Sequence, residues 1–328
     1  MTTTTEPRRG TPGRTAKVRP GAGPGKGGRP PRRRDRLSMQ NVPGWMFSTP
    51  FLVLFLTFMA VPIVATLVMS FTDFGLRNVA DPFSTEFIGI ENYTKLFEDE
   101  RFLTSLFNTA YFVVLGVPLT VGAGLFAAVL LNSGIGRMRT VFRVGFYAPV
   151  VTSIVAVAVV WRFVLDPADG LIAQLAGEVG LTSPDFLGSK ALAMPSLIVM
   201  AVWRNMGTAM VLFLAGLQSI PVEVREAARL DGVSMWQEFR RITVPLLRPT
   251  MLYVCVMTSI GFLNVFEEPF VMTEGGPDNS TLTVSLDMYR EGFSFFHMGY
   301  ASAMAYVLFT VILAITLLQL RLLKDKTK

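Results

Sequence analysis

Six long apolar runs, near residues 45–71, 106–131, 141–164, 192–217, 246–266 and 299–320, alternate along the chain with shorter polar segments. Each is long enough to cross a hydrocarbon core of about 30 Å as a helix of roughly 20 residues. Inside lipid a backbone must satisfy its own hydrogen bonds, and runs of this length do so as helices rather than as the short alternating strands of a barrel. Pro62, Pro118, Pro149 and Pro195 fall in or near these runs, and kinks are tolerated there where neighbouring helices shield the freed carbonyls. The pattern predicts an all-α polytopic membrane protein of six transmembrane helices.

Charge sets the expected orientation. The tail, the 132–140 turn, the 218–248 loop and the 321–328 end together hold 22 Lys/Arg, against 5 in the alternate segments 72–105, 165–191 and 267–298. Basic residues concentrate on the cytoplasmic side, which places both termini and the 218–248 loop inside. Residues 1–40 carry 11 Lys/Arg against 2 acids, with 6 Pro and 7 Gly. Such a segment cannot bury enough apolar surface to order itself. It reads as a solvated cytoplasmic extension that fixes orientation, with anionic lipid or nucleic acid as the alternative partner. It does not read as a signal peptide, since the apolar run that follows is too long.

The expected division is therefore a disordered basic cytoplasmic tail over 1–42, a first transmembrane helix and outer loop over 43–101, a transmembrane domain over 102–322 and a cytoplasmic end over 323–328. With 51% hydrophobic and 16% charged residues, the chain is less charged than soluble domains, which run near about a quarter. The lone Cys255 lies in an apolar run and the lone His297 in a loop, so neither a disulfide framework nor a metal cluster is expected. The outer loops are acidic, and 91–105 reads as a short surface helix leading into the second span. No internal repeat is visible, which weakens a reading as a symmetric secondary transporter.

The stretch Ile220–Pro249 is the one long amphiphilic segment set between apolar runs. Pro221 suits the first turn of a helix and Gly232 the position just past its end. Between them Val222, Val224, Ala227, Ala228 and Leu230 form a small apolar face. Ser234 with Gln237 three residues on reads as a capping box opening a second short helix, which exposes Met235, Trp236 and Phe239. Two short helices with a glycine hinge describe either a docking surface or a loop packed on its own membrane domain.

The spacing within this stretch resembles the cytoplasmic signature loop of permease subunits in binding-protein-dependent ABC importers. Glu226-Ala227-Ala228 is followed after three residues by Gly232, after nine more by Ile242, and then by Thr243, Val244 and Pro245. Val244 stands where the family has Leu. Ala215 to Pro221, Asp231-Gly232, and Met272-Thr273-Glu274-Gly275-Gly276-Pro277 with Ser280-Thr281 look like the carbohydrate branch, the maltose- and lactose-type systems, and within it the first of the two permeases. Val233 replaces a usual Ala, and Glu274 a common Gly. The resemblance covers roughly 45–325 and implies the type I importer permease fold.

It further implies a second homologous permease, two cytoplasmic ABC ATPases and an extracytoplasmic sugar-binding protein as partners, with the 219–248 loop docked in a cleft of one ATPase. The small Ala227 and Ala228 let a helix sit deep in a groove, Gly232 permits a sharp turn, and Glu226, Asp231, Ile242 and Pro245 complete the coupling set. ATP and Mg would act in the partner: no GxxxxGK[ST] phosphate loop is present, and no cofactor, metal or catalytic residue is assigned to this chain.

Polar residues inside spans are the default candidates for a solute path. These are Arg204 and Asn205 beside Trp203 on the fourth run, and Asn264, Glu267 and Glu268 beside Phe266 at the end of the fifth. Sugars are held by aromatic faces and hydrogen-bonding groups, and Trp161, Trp203, Phe262 and Phe266 lie nearby in sequence. The plainer alternative is that Arg204 pairs with a carboxylate and the aromatics only pack. Gly275-Gly276-Pro277 is a turn, placed by the resemblance at the outer gate. A permease for a non-sugar solute such as a glycerol phosphate would want a basic cavity, and a stand-alone ion-coupled transporter would want mid-membrane carboxylates. Confinement between two spans, with a net charge of only +1 over 218–248, argues against a nucleic-acid role.

Overall fold

The computed structural model describes residues 41–81, 84–132 and 138–323; all but the last two residues of the expected basic tail (1–42) and the extreme C-terminus lie outside them. The chain divides into two units, residues 1–57 and 58–328. The described part of the first holds α1 (Asn41–Phe55). The second contains α2 (Val61–Met69), α3 (Glu91–Glu98), α4 (Glu100–Asn132), α5 (Arg139–Val151), α6 (Ile154–Val164), α7 (Ala193–Gln218), α8 (Val222–Leu230), α9 (Arg248–Leu263), α10 (Glu267–Met272), α11 (Val284–Tyr289) and α12 (Met298–Leu323). The surface helix expected over 91–105 is α3 followed by the first turns of α4.

Among the described residues, four helical runs are long and apolar enough to cross a membrane: Met46–Met69, Glu100–Asn132, Ala193–Gln218 and Met298–Leu322. The other two expected spans are not single rods. The third bends by 101° between Val151 and Ile154, and the fifth by 68° where Met235–Leu246 meets Arg248–Leu263. In the third, Pro149 sits inside α5 without a backbone N–H to give, and Thr152 leaves the helix at φ −83°, ψ 146°. In the fifth, Pro245 and Pro249 flank Leu247. α9 has 16 residues, a rise of about 24 Å, which is short of a full crossing. It stops at Asn264 (φ −98°, ψ 18°), and the chain turns into α10, which packs on α6.

α4 and α7 form the most extensive helix pair. They run in the same direction, since Gly116 on α4 lies near Ile198 and Gly124 near Ala209 on α7. Small residues allow this approach: a Cβ built on Gly124 would lie 2.5 Å from the Ala209 Cβ. Three apolar clusters follow. One gathers Phe112, Leu197, Met200, Phe262 and Met272. A second gathers Leu131, Met210, Phe213, Leu217, Ile220 and Leu247, at the end of α4 and α7 that carries the 219–248 loop. The third joins Leu96, Phe102, Val284 and Met304 at the opposite end of α4.

Candidate functional site

The loop between α7 and α9 is built by local sequence chemistry. α8 ends in a left-handed turn at Gly232 (φ +71°), closed by Val233 N–H donating to the Ala228 carbonyl at 3.2 Å, the six-to-one bond of a glycine-terminated helix. Ser234 then caps the next turn reciprocally: Gln237 N–H donates to Ser234 Oγ at 3.4 Å, and Ser234 N–H donates to Gln237 Oε1 at 3.1 Å. Ala228 is buried, whereas Glu226, Ala227, Asp231 and Gly232 are exposed. Leu230, Met235 and Trp236 stand 89%, 83% and 68% exposed. Phe239, expected among the exposed groups, is half-buried: it stacks on Trp236 at 5.8 Å and faces Gly122, Leu125, Phe126 and Val129 of α4 across a small apolar groove. Ile242 and Pro245 are half-buried.

The expected path residues fall into separate places. Trp203 pairs with Trp161 at 5.7 Å, and both line a cavity in the elbow of the bent third span with Pro149 and Thr152. Asn205 Nδ2 donates back to the Ala201 carbonyl of its own helix at 2.8 Å. Arg204 is half-buried, and its Nε has no hydrogen-bond partner. Glu268 is buried. Glu267 is exposed.

Phe262 does not face a path. It lies edge-on to Phe112 at 5.1 Å and covers Gly116, so it is a core residue. Asn264 and Phe266 instead line a cavity of about 540 Å³ with Ser285, Tyr289, Phe293 and Ser302. Here Phe266, Phe270, Tyr289 and Phe293 form a chain of rings spaced 5.1 to 5.7 Å apart. Tyr289 and Phe293 were not singled out from the sequence, although their spacing of four was a usable signal.

The Gly275-Gly276-Pro277 turn is held tightly. Glu274, Gly275, Asp278 and Asn279 have φ of +50°, +76°, +48° and +59°. Thr281 Oγ1 donates to the Gly276 carbonyl at 2.7 Å, and Arg290 donates to the Glu274 carbonyl. Beside it lies an ionic cluster that the sequence reading did not assemble. Arg101 Nη2 is 2.8 Å from Asp287 Oδ1, an ion pair whose alignment falls short of a hydrogen bond. Arg101 Nη1 is 3.5 Å from Glu291, which also meets His297 Nδ1 at 2.9 Å. Burial pushes the Asp287 carboxyl up to about 6; Arg101 and Arg290 oppose this, and Glu291 and Asp99 reinforce it. Among the described residues, no group of three or more His, Cys, Asp or Glu is placed to hold a metal ion.

Residues 116–328 match the family model described as binding-protein-dependent transport system inner membrane component. The chain belongs to that family. It is 37% identical over 283 residues to the probable ABC transporter permease protein YesP of Bacillus subtilis (strain 168), covering 85% of this chain and 89% of the relative. It is 31% identical over 291 residues to the arabinooligosaccharides transport system permease protein AraP of the same organism, covering 88% and 91%. The fold matches a chain of a bacterial alginate ABC transporter solved with an alginate pentasaccharide-bound periplasmic protein. That match has a TM-score of 0.77 at 24% identity and covers 88% and 96% of the two chains. The chain is thus a membrane component of a transport system with the type I ABC permease fold. The bent third and fifth spans are features of this permease.

Proposed function

We propose that this permease is one of two homologous membrane subunits of an ATP-driven sugar importer, with both termini and the 219–248 loop in the cytoplasm. In this reading the solute path runs between it and the second permease, two cytoplasmic ABC ATPases drive it, and an extracytoplasmic sugar-binding protein delivers the solute. ATP and Mg are used by the ATPases, and this chain binds no cofactor. The transmembrane domain occupies 102–322, preceded by the basic tail (1–42) and by the first span with its outer loop (43–101).

One observation carries the reading: Glu226, Ala227, Leu230, Asp231, Gly232, Met235 and Trp236, on α8 and the turns that follow it, are all exposed. Apolar side chains as exposed as Leu230 and Met235 mark an interaction site, and the docking partner is the cleft of an ATPase. Glu226 supplies a carboxylate to a basic group there, and truncating one member of a desolvated pair is expensive.

A sugar is favoured over a phosphate-bearing solute by the 540 Å³ cavity at Asn264 and Phe266, which carries no charged side chain. Its aromatic faces and its hydroxyl and amide groups are the chemistry that stacks and hydrogen-bonds a pyranose ring. The relative AraP, an arabinooligosaccharides transport system permease protein, points to the same solute class. The remaining path candidates are Trp203, which lines a separate cavity, with Arg204, Asn205, Glu267 and Glu268, and Gly275-Gly276-Pro277 is assigned to the outer gate. The test is purification of the tagged chain in mild detergent with mass spectrometry of its companions. A second permease and an ATPase should accompany the wild type, with the ATPase lost from Glu226→Ala. A chain that purifies alone and moves solute without ATP would sink the reading.

A further inference from the structure

The segment 273–283, between α10 and α11, has no helix or strand of its own, yet its second half is enclosed: Thr281, Leu282 and Thr283 are at most 1% exposed. Irregular chain in such a place needs partners for its peptide groups, since an unpaired buried carbonyl or N–H is costly. Many of these bonds close within the segment, as Gly276 N–H to the Thr273 carbonyl, Thr281 N–H to the Gly275 carbonyl and Leu282 N–H to the Asn279 carbonyl, and α4 adds its own to the second half. Asn108, itself buried, spends its amide group on this segment: Nδ2 donates to the Asn279 carbonyl at 2.8 Å and to the Leu282 carbonyl at 2.9 Å. The next residue, Thr109, accepts from Val284 N–H at 3.0 Å while its own proton goes to the Ser105 carbonyl. Thr283 Oγ1 donates to the Val265 carbonyl at 2.9 Å, tying the same segment to the break that ends α9.

From Asn108 to Asn132, α4 rises about 36 Å without interruption. Along the way it is locked to α7 at Gly124 and Ala209. At its far end Ala127, Ala128 and Leu131 share one cluster with Leu217, Ile220 and Leu247, residues at the two ends of the 219–248 loop. α4, a single helix with Pro118 inside it, therefore has a joint at each end, with the loop's anchor points at one and the irregular segment at the other. Packed helices with close small-residue contacts transmit displacement, because they shift as bodies rather than deform.

We propose that Asn108 is a positioning residue of the transport cycle, fixing the 273–284 segment to α4 so that displacement driven at the 219–248 loop is delivered to the opposite end of the membrane domain. This rests on the reading of that loop as the ATPase-docking element. By reciprocity, binding events at the 273–284 end act through the same joint on the ATPase. Asn108 belongs to none of the three apolar clusters. Its loss leaves the packing of α4 on α7 in place and removes the grip on the segment.

The experiment uses the full complex in proteoliposomes, with ATP hydrolysis measured with and without solute-loaded binding protein, and with uptake followed in parallel. Asn108→Asp keeps the side chain's size, removes both donors and sets a carboxylate against two carbonyls. Stimulation by the binding protein should fall about tenfold or more, and uptake with it, while unstimulated hydrolysis stays within about twofold. Thr109→Val, which deletes the acceptor for Val284 N–H, should move in the same direction, and Thr109→Ser should behave as wild type. Wild-type stimulation in Asn108→Asp would overturn the proposal, as would a matching fall in stimulated and unstimulated hydrolysis. If Asn108→Asp does not assemble, equal stimulation in Thr109→Val and Thr109→Ser overturns it. A wild-type chain that recruits no ATPase sinks the importer reading instead, a separate and visible outcome.

Discussion

Substitution of Gly232 separates two reasons for a glycine in the docking loop. Its φ of +71° lies where L side chains are strained, and a Cβ placed on it would meet, among the described residues other than its chain neighbours, no atom within 4 Å. Within the subunit, therefore, the cost of a side chain is conformational and not steric. A left-handed non-glycine residue costs roughly 1–2 kcal/mol, and Asn pays less because its short polar side chain is at home there. The alternative for the chain is to abandon the turn, which breaks the Val233 N–H bond to the Ala228 carbonyl and redirects α8 relative to Ser234. At 1.4 kcal/mol per tenfold, Gly232→Val should lower the docking-competent population by about five- to thirtyfold, Gly232→Ala by somewhat less, and Gly232→Asn by roughly threefold or less. The assay is ATPase co-purification at limiting ATPase, with ATP-driven uptake in parallel. Wild-type behaviour of Gly232→Val would refute the conformational argument. So would an Asn variant as defective as Val, which would show instead that the partner approaches Gly232 too closely for any side chain.

Two further outcomes follow from the outer segment. Because burial raises Asp287 to about 6 from the ordinary 3.8, the folded state holds this proton more tightly than the unfolded chain. The stabilisation is fully present below the ordinary value and is lost as pH rises through about 6, so the purified protein should melt higher at pH 5 than at pH 7.5. Asp287→Asn should flatten that difference, and an unchanged pH dependence in the variant would refute the assignment. Glu274 is exposed with φ +50°, so Glu274→Gly should stabilise by about 1 kcal/mol by relieving left-handed strain; a lower melting temperature in differential scanning fluorimetry would contradict it. Gly is the residue such a turn favours, and Glu274 holds the left-handed conformation without being one.

What the sequence determined on its own is whatever nearest neighbours decide. Apolar run length announced the membrane helices because the bilayer fixes how much helix a span requires. The Ser234–Gln237 box and the left-handed ending at Gly232 were legible for the same reason: each is closed by atoms within five residues. The spacing from Glu226 to Pro245 carried the family in a single loop. Only the tertiary structure decided which aromatic faces a cavity and which fills the core. Phe262 and Phe266 are four residues apart in similar surroundings, yet one is claimed by Phe112 of α4 and the other by Phe270 and Tyr289. It also decided that two spans bend, since a proline permits a bend and the helices packed around it determine whether it happens. The grip of Asn108 lay beyond sequence reasoning altogether. Its acceptors are 171 and 174 residues away, and a lone amide in an apolar run signals that a partner exists without saying which distant peptide groups the fold brings to it.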